Sequence, residues 1–275
     1  TMGVPILGSY HTELAVYAGL RSQDPALETV ARMAIAAFYG QCRRVLSPSP
    51  ASDEVLRGMG VPEERIGRWD RGVDLGRFSP ERRVPGLLPG EITVLYAGRL
   101  TREKGADLLA DAFLAARERD PRLHLALAGG GPEEHVLRER LGEHATFLGW
   151  LEGDALATAY ASADLFLFAS RTDTFGQVLL EAQASGLPVV AVGEGGPTSI
   201  VVDDLTGCLC PADAGALADA VVELAANPRQ RERLARNALE AVRQRTWERS
   251  LQRLADGYRR ALDPADASGD VSRAA

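Results

Sequence analysis

The chain has 275 residues, of which 45% are hydrophobic and 25% charged, and its formal net charge is -7 at pH 7. This composition is typical of a folded protein of one or two domains with enough apolar residues for a core. No run of eighteen apolar residues occurs, and the first residues carry no basic segment, so we expect neither a membrane span nor a secretion signal. The acidic balance argues against nucleic acid as the main partner.

The three cysteines, Cys42, Cys208 and Cys210, show no spacing typical of a metal site. An odd number of cysteines without such a spacing is typical of reduced thiols in an intracellular protein. We therefore interpret them as small apolar core residues and expect no metal.

Short apolar runs alternate with amphipathic stretches along most of the chain, which predicts an α/β fold with a doubly wound parallel sheet. Before residue 84, the predicted strands are 4–9, 44–47 and 66–69, and the predicted helices are 25–39 and 51–59. After residue 91, the predicted strands are 92–97, 123–128, 145–148, 165–169 and 188–192. The predicted helices of that part are 106–119, 154–161, 177–184, 214–226, 228–243 and 247–262.

Residues 84–91 are rich in proline and glycine and interrupt the apolar periodicity of both helices and strands. The segment is therefore predicted to be an interdomain linker. It separates a first domain, residues 1–83, from a second domain, residues 92–262. Because a doubly wound domain usually needs nearer to about 150 residues, we expect the first domain to be naturally short or to lack its opening strands. Residues 263–275 are small and polar and predict a flexible tail.

All but one of the 31 basic residues are arginine, and the exception is Lys104. It follows a predicted strand, five residues after Arg99, and ligands of parallel sheets bind at the carboxyl ends of strands. An ammonium group is a compact donor for a phosphate oxygen, so this pair of cations indicates an anion site. Composition alone leaves open that the last lysine of an arginine-rich chain stands here for no functional reason.

A second candidate segment surrounds Gly176, where a predicted strand ends and a predicted helix begins. The free amides of a helix start can bind phosphate or sugar oxygens. Asp173 and Glu181 flank this turn and could accept hydrogen bonds from hydroxyl groups. The alternative is that Asp173 only caps the helix and Glu181 is solvated. Two glycine-rich loops, residues 128–133 and 193–198, also follow predicted strands and allow close approach of the backbone to a ligand.

Several enzyme motifs are missing. The chain contains no G-x-G-x-x-G turn after a strand and no phosphate-binding G-x-x-x-x-G-K-[ST] loop. It also lacks the G-x-S-x-G and H-E-x-x-H motifs. The sequence therefore does not support assignment to four classes of protein that carry these motifs: dinucleotide oxidoreductases, P-loop proteins, α/β-hydrolases and zinc proteases.

The segments AGRLTREKG, AGGGPEE, FLGWL, RTDTFGQVLLEAQASGLPVVA and GGPTSIVVDDLTGCLCP follow one another as in family-4 (group 1) retaining glycosyltransferases of the GT-B fold, which this chain resembles. The segments RGVDLGRFSP and GSYHTELAVYAG look most similar to the bacterial glycolipid mannosyltransferase and sulfolipid synthase subgroup. The resemblance implies an α/β, GT-B-like protein. It would have a doubly wound C-terminal donor domain and an incomplete Rossmann-like N-terminal domain on the acceptor side, against which the last helix packs.

The resemblance also implies roles for particular residues. Arg99 and Lys104 would hold the diphosphate of the donor without a metal or other cofactor. Asp173, where the family more often has glutamate, would contact the hydroxyl groups of the donor sugar, and Glu181 would contact the ribose. His11 would lie near the anomeric carbon. The remaining residues expected to line the donor are Gly131, Leu151, Thr174, Phe175, Gly176 and Gln177.

The implied function is the retaining, metal-independent transfer of a hexose, with mannose as the best candidate, from a nucleotide sugar to a hydroxyl acceptor. GDP-mannose is the preferred donor and UDP-sugars remain open, and a glycolipid is one candidate acceptor. The expected location is the cytoplasm, with at most peripheral contact at the inner face of the membrane. The alternative is a nucleotide-sugar-binding module or pseudoenzyme that lacks a competent acceptor site.

Overall fold

The computed structural model describes residues 4–22 and 24–263, which divide into two compact units. The first unit combines the chain up to Arg71 with the residues from Trp247 onward, and the second unit runs from Gly72 to Thr246. Of the predicted tail, residues 264–275 lie outside the described residues.

The first unit contains a parallel sheet with the strand order β1-β2-β3. Two of its helices begin where the sequence supplies a cap followed by proline. Asp24 accepts from the amide of Ala26 at one start, and Ser49 accepts from the amide of Ser52 at the other. The strands are β1 (Leu7–Ser9), β2 (Arg44–Ser47) and β3 (Ile66–Arg68), and the helices are α1 (Leu14–Ser22), α2 (Pro25–Gly40), α3 (Pro50–Gly58) and α10 (Trp247–Leu262).

The second unit contains, among the described residues, a sheet of six parallel strands with the order β6-β5-β4-β7-β8-β9. The chain fills one side of β4 first and then crosses to the other side with β7. The strands are β4 (Ile92–Ala97), β5 (Leu123–Ala128), β6 (Ala145–Gly149), β7 (Leu165–Phe168), β8 (Val189–Val192) and β9 (Gly207–Cys210). The helices are α4 (Ala106–Arg119), α5 (Glu134–Leu141), α6 (Gly153–Ser162), α7 (Gln177–Ala184), α8 (Ala214–Ala226) and α9 (Pro228–Val242).

Helices cover both faces of this sheet, as a doubly wound fold requires. Every residue of β4 is buried. Val94 and Tyr96 belong to one hydrophobic core, whereas Leu95 and Ala97 belong to the other, because successive side chains of a strand point to opposite faces. The apolar run that predicted this strand therefore reflects burial on both sides.

The division between the units differs from the predicted linker at residues 84–91. That segment is tied to the second unit, because the Val84 amide donates to Ser162 Oγ at 3.1 Å and Thr93 Oγ1 donates to the Pro89 carbonyl at 2.8 Å. Leu88 is buried in one of the two cores of this unit. Proline and glycine break regular structure here without making the segment independent of its neighbours.

Three elements were not predicted from the sequence: α1, α5 and β9. Helix α1 is apolar over most of its nine residues and α5 has only three apolar residues among its eight, so neither shows the one-sided pattern that predicts a helix. Strand β9 has four residues, begins with Gly207 and is followed by Pro211. Its pairing with β8 stabilises it, and such long-range pairing leaves little local pattern.

The loops at the carboxyl ends of the central strands contact one another through their main chains. A Cβ atom added to Gly129 would lie 1.9 Å from the carbonyl oxygen of Gly98, and one added to Gly105 would lie 2.2 Å from that of Ala169. The backbone φ angles of these two glycines are +140° and +76°, where other residues are strained. Glycine at these positions therefore lets the loops after β4, β5 and β7 meet.

Replacing Gly129 by alanine is expected to lower the free energy of unfolding by more than about 2 kcal/mol, because backbone strain of about 1–3 kcal/mol is added to a main-chain clash. Gly142→Ala is the matched control, since its φ of +52° is also positive but nothing lies within 4 Å of the added Cβ. Urea denaturation of both variants measures the difference. An equal loss of the free energy of unfolding in the two variants would contradict the role of the close approach between the Gly129 and Gly98 main chains.

Candidate functional site

The side chains of Lys104 and Asp173 meet at the carboxyl edge of the sheet in the second unit. The Lys104 Nζ donates to Asp173 Oδ2 at 2.8 Å, and the two side chains are 19% and 20% exposed. Lys104 ends a short turn after β4, whereas Asp173 lies in the loop after β7. These neighbouring strands carry connections to opposite sides of the sheet, and the crevice at such a switch point is where ligands bind in open α/β sheets.

Arg99 lies in the same loop after β4. Its side chain is 45% exposed, and its guanidinium is 4.0 Å from the buried carboxylate of Glu103. Two hydrogen bonds hold the loop in place, because Tyr96 Oη donates to the Arg99 carbonyl at 2.8 Å and Thr172 Oγ1 donates to the Glu103 carbonyl at 2.6 Å. The structure therefore presents two cations from one loop, one of them open to solvent.

Helix α7 begins at this edge, directly after Gly176. That glycine is the N-cap residue, its φ is +94°, and it has no side chain with which to accept from the amides of the first turn. The preceding loop is braced by the loop after β8, since the Gly196 amide donates to the Asp173 carbonyl at 2.7 Å. A Cβ at Gly196 would lie 2.3 Å from the Phe175 nitrogen. Thr174 and Phe175 are buried beside this contact.

Glu181 lies one turn further along α7 and accepts a hydrogen bond of 3.1 Å from Tyr160 Oη. Burial raises the pKa of the Glu181 carboxyl to about 7, although hydrogen bonds from Tyr160 and Gln177 act in the opposite direction. Burial also raises the pKa of Tyr160 well above its ordinary value, with the nearby Glu181 charge adding to the effect. The alternative of a solvated Glu181 is therefore wrong.

The sequence analysis did not single out Tyr160, which lies on α6 among alanines. Its ring stacks on Phe166 and meets Phe78 edge-on. An aromatic hydroxyl that is fully buried needs a partner, and this partner is Glu181. The spacing along the chain carried no signal for this contact, because the two residues lie on different helices.

The other two predicted donor residues lie in loops after neighbouring strands. Gly131 follows β5, and a Cβ there would lie 2.3 Å from the Leu100 carbonyl oxygen. Leu151 follows β6 and is partly buried against a core cluster. Both predicted residues thus lie at the same end of the sheet as Lys104, while their contacts with a donor stay predictions.

His11 belongs to the first unit, where it follows β1. Its ring meets the ring of Trp69 edge-on, with 4.7 Å between centroids, and the Arg71 guanidinium lies 5.5 Å from the centre of the Trp69 ring. Burial, with a smaller contribution from the positive charge of Arg71, lowers the pKa of His11 to about 4. The imidazole is therefore neutral at physiological pH, and its role near an anomeric carbon stays a prediction.

Within the described part of the chain, no group of three or more His, Cys, Asp or Glu side chains is arranged to hold a metal ion. In the same residues, no helix combines the length and the apolar character needed to cross a membrane.

Cys208 and Cys210 lie on β9, and burial raises the pKa of their thiols to about 12 and about 11.

Two family models match the chain. One, described as "Glycosyl transferases group 1", matches residues 78–241, and the other, described as "Glycosyltransferase Family 4", matches residues 1–77. The first match contains the whole candidate site of the second unit. The predicted family is confirmed.

Named relatives show similarity along nearly the whole chain. A GDP-mannose-dependent alpha-mannosyltransferase of Corynebacterium glutamicum is 33% identical over 93% of this chain and 61% of that protein. The enzyme of the same name from Mycobacterium tuberculosis is 36% identical over 90% of this chain and 64% of its own length. A D-inositol 3-phosphate glycosyltransferase of Actinosynnema mirum is 32% identical, with coverages of 95% and 68%. The chain therefore spans 61% and 64% of the lengths of the two mannosyltransferases.

Solved structures confirm the predicted GT-B fold class. The sucrose-phosphate synthase of Thermosynechococcus elongatus matches with a TM-score of 0.78 and 30% identity, over 92% of this chain and 67% of that chain. The HepE protein of Anabaena in complex with UDP and glucose matches with a TM-score of 0.75, over 92% of this chain and 71% of that chain. Its identity of 21% supports a shared fold alone.

The free energy of unfolding is expected to fall as pH rises from about 4.5 to about 7, because folded Glu181 keeps a proton that the unfolded chain releases. One group contributes a slope of at most about 1.4 kcal/mol per pH unit, and the slope ends above its folded pKa. Urea denaturation across this range should give a flatter profile for Glu181→Gln than for the unmodified chain. Glu240→Gln, which changes a carboxyl with 72% exposure, serves as the control; a flattening of similar size there would contradict the assignment.

Proposed function

The chain belongs to the glycosyl transferases of group 1, and on that premise we propose that it transfers a hexose from a nucleotide-diphosphate sugar to a hydroxyl acceptor. The observation that carries the proposal is the placement of the Lys104–Asp173 ion pair and of the start of α7, whose N-cap is a glycine, at the switch point of the sheet. Cations and helix amides suit a diphosphate, and carboxylates suit sugar hydroxyl groups.

Lys104 would bind a phosphate oxygen without giving up its contact with Asp173. An ammonium group has three N–H donors, and the ion pair with Asp173 uses one of them. Arg99 adds an exposed guanidinium from the same loop. The shared contact would place a donor diphosphate beside Lys104 and a sugar hydroxyl beside Asp173, so one pair of residues would align both halves of the donor.

The proposed reaction proceeds with retention at the anomeric carbon and without a metal. Negative charge develops on the diphosphate as its bond to the sugar breaks, and groups held in place beforehand stabilise that charge most effectively. Arg99, Lys104 and the first amides of α7 would supply this stabilisation. The acceptor hydroxyl would enter on the face from which the diphosphate leaves, so no protein nucleophile is needed.

We assign Glu181 to the ribose of the donor nucleotide. Its carboxyl is partly buried and already hydrogen-bonded to Tyr160, so its position is set before a ligand arrives. A ribose hydroxyl would donate to the carboxylate and favour its charged form, which burial alone disfavours. Nucleotide binding should therefore lower the pKa of Glu181.

Mannose is the proposed sugar and GDP-mannose the proposed donor. The support is the name shared by relatives with 33% and 36% identity, GDP-mannose-dependent alpha-mannosyltransferase. UDP-sugars are the second donor class to test, because the fold relative from Anabaena was solved with UDP. The acceptor is proposed as a hydroxyl compound, with glycolipids as the first class to test.

Lys104→Ala is expected to lower kcat about a hundredfold or more, by analogy with the loss of one preorganised donor. Arg102→Ala is the matched control, because Arg102 lies in the same turn but its side chain is 63% exposed and pairs with Glu133. Thermal unfolding of both variants checks that they fold. A near-normal rate for Lys104→Ala, or an equal loss in the control, would contradict the proposed role.

A thermal-shift screen with GDP, UDP and ADP and their sugars tests the donor. A ligand at about a hundred times its Kd stabilises the folded state by about 2.7 kcal/mol, and we expect GDP-mannose to do so most strongly. Transfer to added acceptors is then measured with the donors that bind. Stabilisation without transfer or donor hydrolysis would favour a nucleotide-sugar-binding module. No stabilisation by any nucleotide would contradict the proposed function.

A further inference from the structure

Trp150 is an exposed aromatic side chain at the carboxyl edge of the larger sheet. It directly follows β6, and its 67% exposure is the greatest among the large apolar side chains described in the second unit. It lies at the same edge as Lys104 and Asp173 but was not among the predicted site residues. A single exposed apolar side chain is common on protein surfaces, so its neighbours decide whether it has a role.

The glycine-rich loop after β5 supports the indole of Trp150. The Gly129 amide donates to the Gly149 carbonyl at 2.7 Å, which holds the loops after β5 and β6 together. A Cβ added to Gly130 would lie 2.9 Å from Trp150 Nε1 and 3.5 Å from Trp150 Cδ1. Because Gly130 has no side chain, this edge of the indole can lie against the loop while most of the ring stays open to solvent.

A carboxylate lies beside the same glycine. Glu134 begins α5, and its Oε2 atom lies 3.4 Å from the Cβ position of Gly130. Arg138 donates to the other oxygen, Oε1, from Nε at 3.0 Å and from Nη2 at 2.8 Å. Arg138 is itself held over the ring of Phe147, with Cζ 4.1 Å from the ring centre. The carboxylate is therefore oriented by its own helix, and Oε2 is the oxygen nearer to Gly130.

The two side chains lie at a suitable distance from the residues proposed to bind phosphate. Trp150 follows β6 and Lys104 follows β4, and β5 lies between these strands. Neighbouring strands are spaced about 4.8 Å apart, so about 10 Å separate the two loops along the edge of the sheet. A ribose and one phosphate group bridge a gap of this size in a nucleoside diphosphate. A base attached to a diphosphate beside Lys104 can therefore reach Trp150.

We propose that Trp150 and Glu134 select the base of the donor nucleotide. The base stacks on the exposed indole, and Glu134 Oε2 accepts a hydrogen bond from the edge of that base. Aromatic side chains stack on bases of every type, so Trp150 supplies affinity without a strong preference. The inference rests on the proposed function, because it requires a nucleotide whose diphosphate lies beside Lys104.

Guanine is the base that fits a carboxylate acceptor best. Its Watson–Crick edge carries two adjacent donors, N1–H and the exocyclic amino group. Uracil has one N–H between two carbonyl oxygens, and adenine has an amino group beside an unprotonated ring nitrogen. Those acceptor atoms would face the carboxylate with their own lone pairs, which disfavours both bases. Glu134 is therefore the residue expected to favour GDP over UDP and ADP.

The stacking contact is tested by calorimetric titration of GDP into the unmodified chain and into Trp150→Ala. The variant is expected to bind GDP at least about tenfold more weakly, which is the scale of base–aromatic stacking. Leu205→Ala is the matched control, because Leu205 is 49% exposed in the same unit but precedes β9 at the opposite edge of the sheet. Unchanged affinity in Trp150→Ala, or an equal loss in the control, would overturn the stacking role.

The choice of base is tested with Glu134→Gln. Arg138 donates to one oxygen of this side chain, so it would hold the amide oxygen and leave the amide NH₂ in the place of Oε2. GDP binding should weaken about tenfold, whereas UDP binding should not weaken. Glu139→Gln on the same helix, where the carboxylate is 70% exposed, is the control. Equal losses for GDP, UDP and ADP in Glu134→Gln would overturn the selective role.

Tryptophan fluorescence gives a readout of the stack itself. The other two tryptophans, Trp69 and Trp247, belong to the first unit. GDP should quench the emission of the unmodified chain, and Trp150→Phe should abolish this quench while binding GDP more tightly than Trp150→Ala, because a phenyl ring still stacks. A quench that persists in Trp150→Phe counts against the contact.

Pyrophosphate has no base and separates this inference from the proposed function. Its binding should be lost in Lys104→Ala and kept in Trp150→Ala and Glu134→Gln. If GDP and pyrophosphate bind and both base-site variants bind GDP normally, the inference fails and the proposed function stands. If no nucleotide binds to the unmodified chain, both fail. An equal loss of GDP and pyrophosphate in Trp150→Ala also overturns the inference, because that loss does not involve a base.

Discussion

The close approach of main chain to main chain at the carboxyl edge of the larger sheet is the constraint on which the candidate site depends. Carbonyl oxygens of Gly98 and Ala169 lie where a Cβ of Gly129 or Gly105 would have to be. Any other residue would push the loops after β4, β5 and β7 apart. Because the loops meet, a cation from one of them and a carboxylate from another form an ion pair at 2.8 Å.

The ion pair between Lys104 and Asp173 lets the site keep two opposite charges with little exposure to solvent. Lys104 and Asp173 are both largely buried, so each removes part of the other's desolvation penalty. Removing one partner leaves the other as an uncompensated charge in a site of limited exposure. The preorganised pair also means that little rearrangement is required when a ligand with both anionic and hydroxyl groups binds.

Glu181 differs from Lys104 and Asp173 in that its side chain is held by a neutral hydroxyl group instead of an opposite charge. Its carboxyl accepts from the Tyr160 hydroxyl, and burial raises its pKa to about 7. A buried acid of this kind lowers stability once it ionises, which is a cost often found at functional sites.

The sequence by itself determined the fold class, the family and the identity of the main candidate residues. Strand β4 and helices α4, α7, α8 and α10 begin and end at the predicted residues, because buried strands and amphipathic helices have local periodicities. Lys104 could be singled out as the lone lysine after a strand, and Asp173 and Glu181 by their places around a glycine turn. The elements α1, α5 and β9 showed no such pattern, although α7 is as short as α5.

Only the tertiary structure decided which of these residues meet. The strand order places the loops after β4 and β7 side by side, and this adjacency is set by pairing across about 70 residues of chain. The contact of Tyr160 with Glu181 and the packing of Trp69 on His11 both join residues that lie far apart along the chain. Local patterning records whether a residue is buried, but the identity of its neighbour depends on how the elements pack.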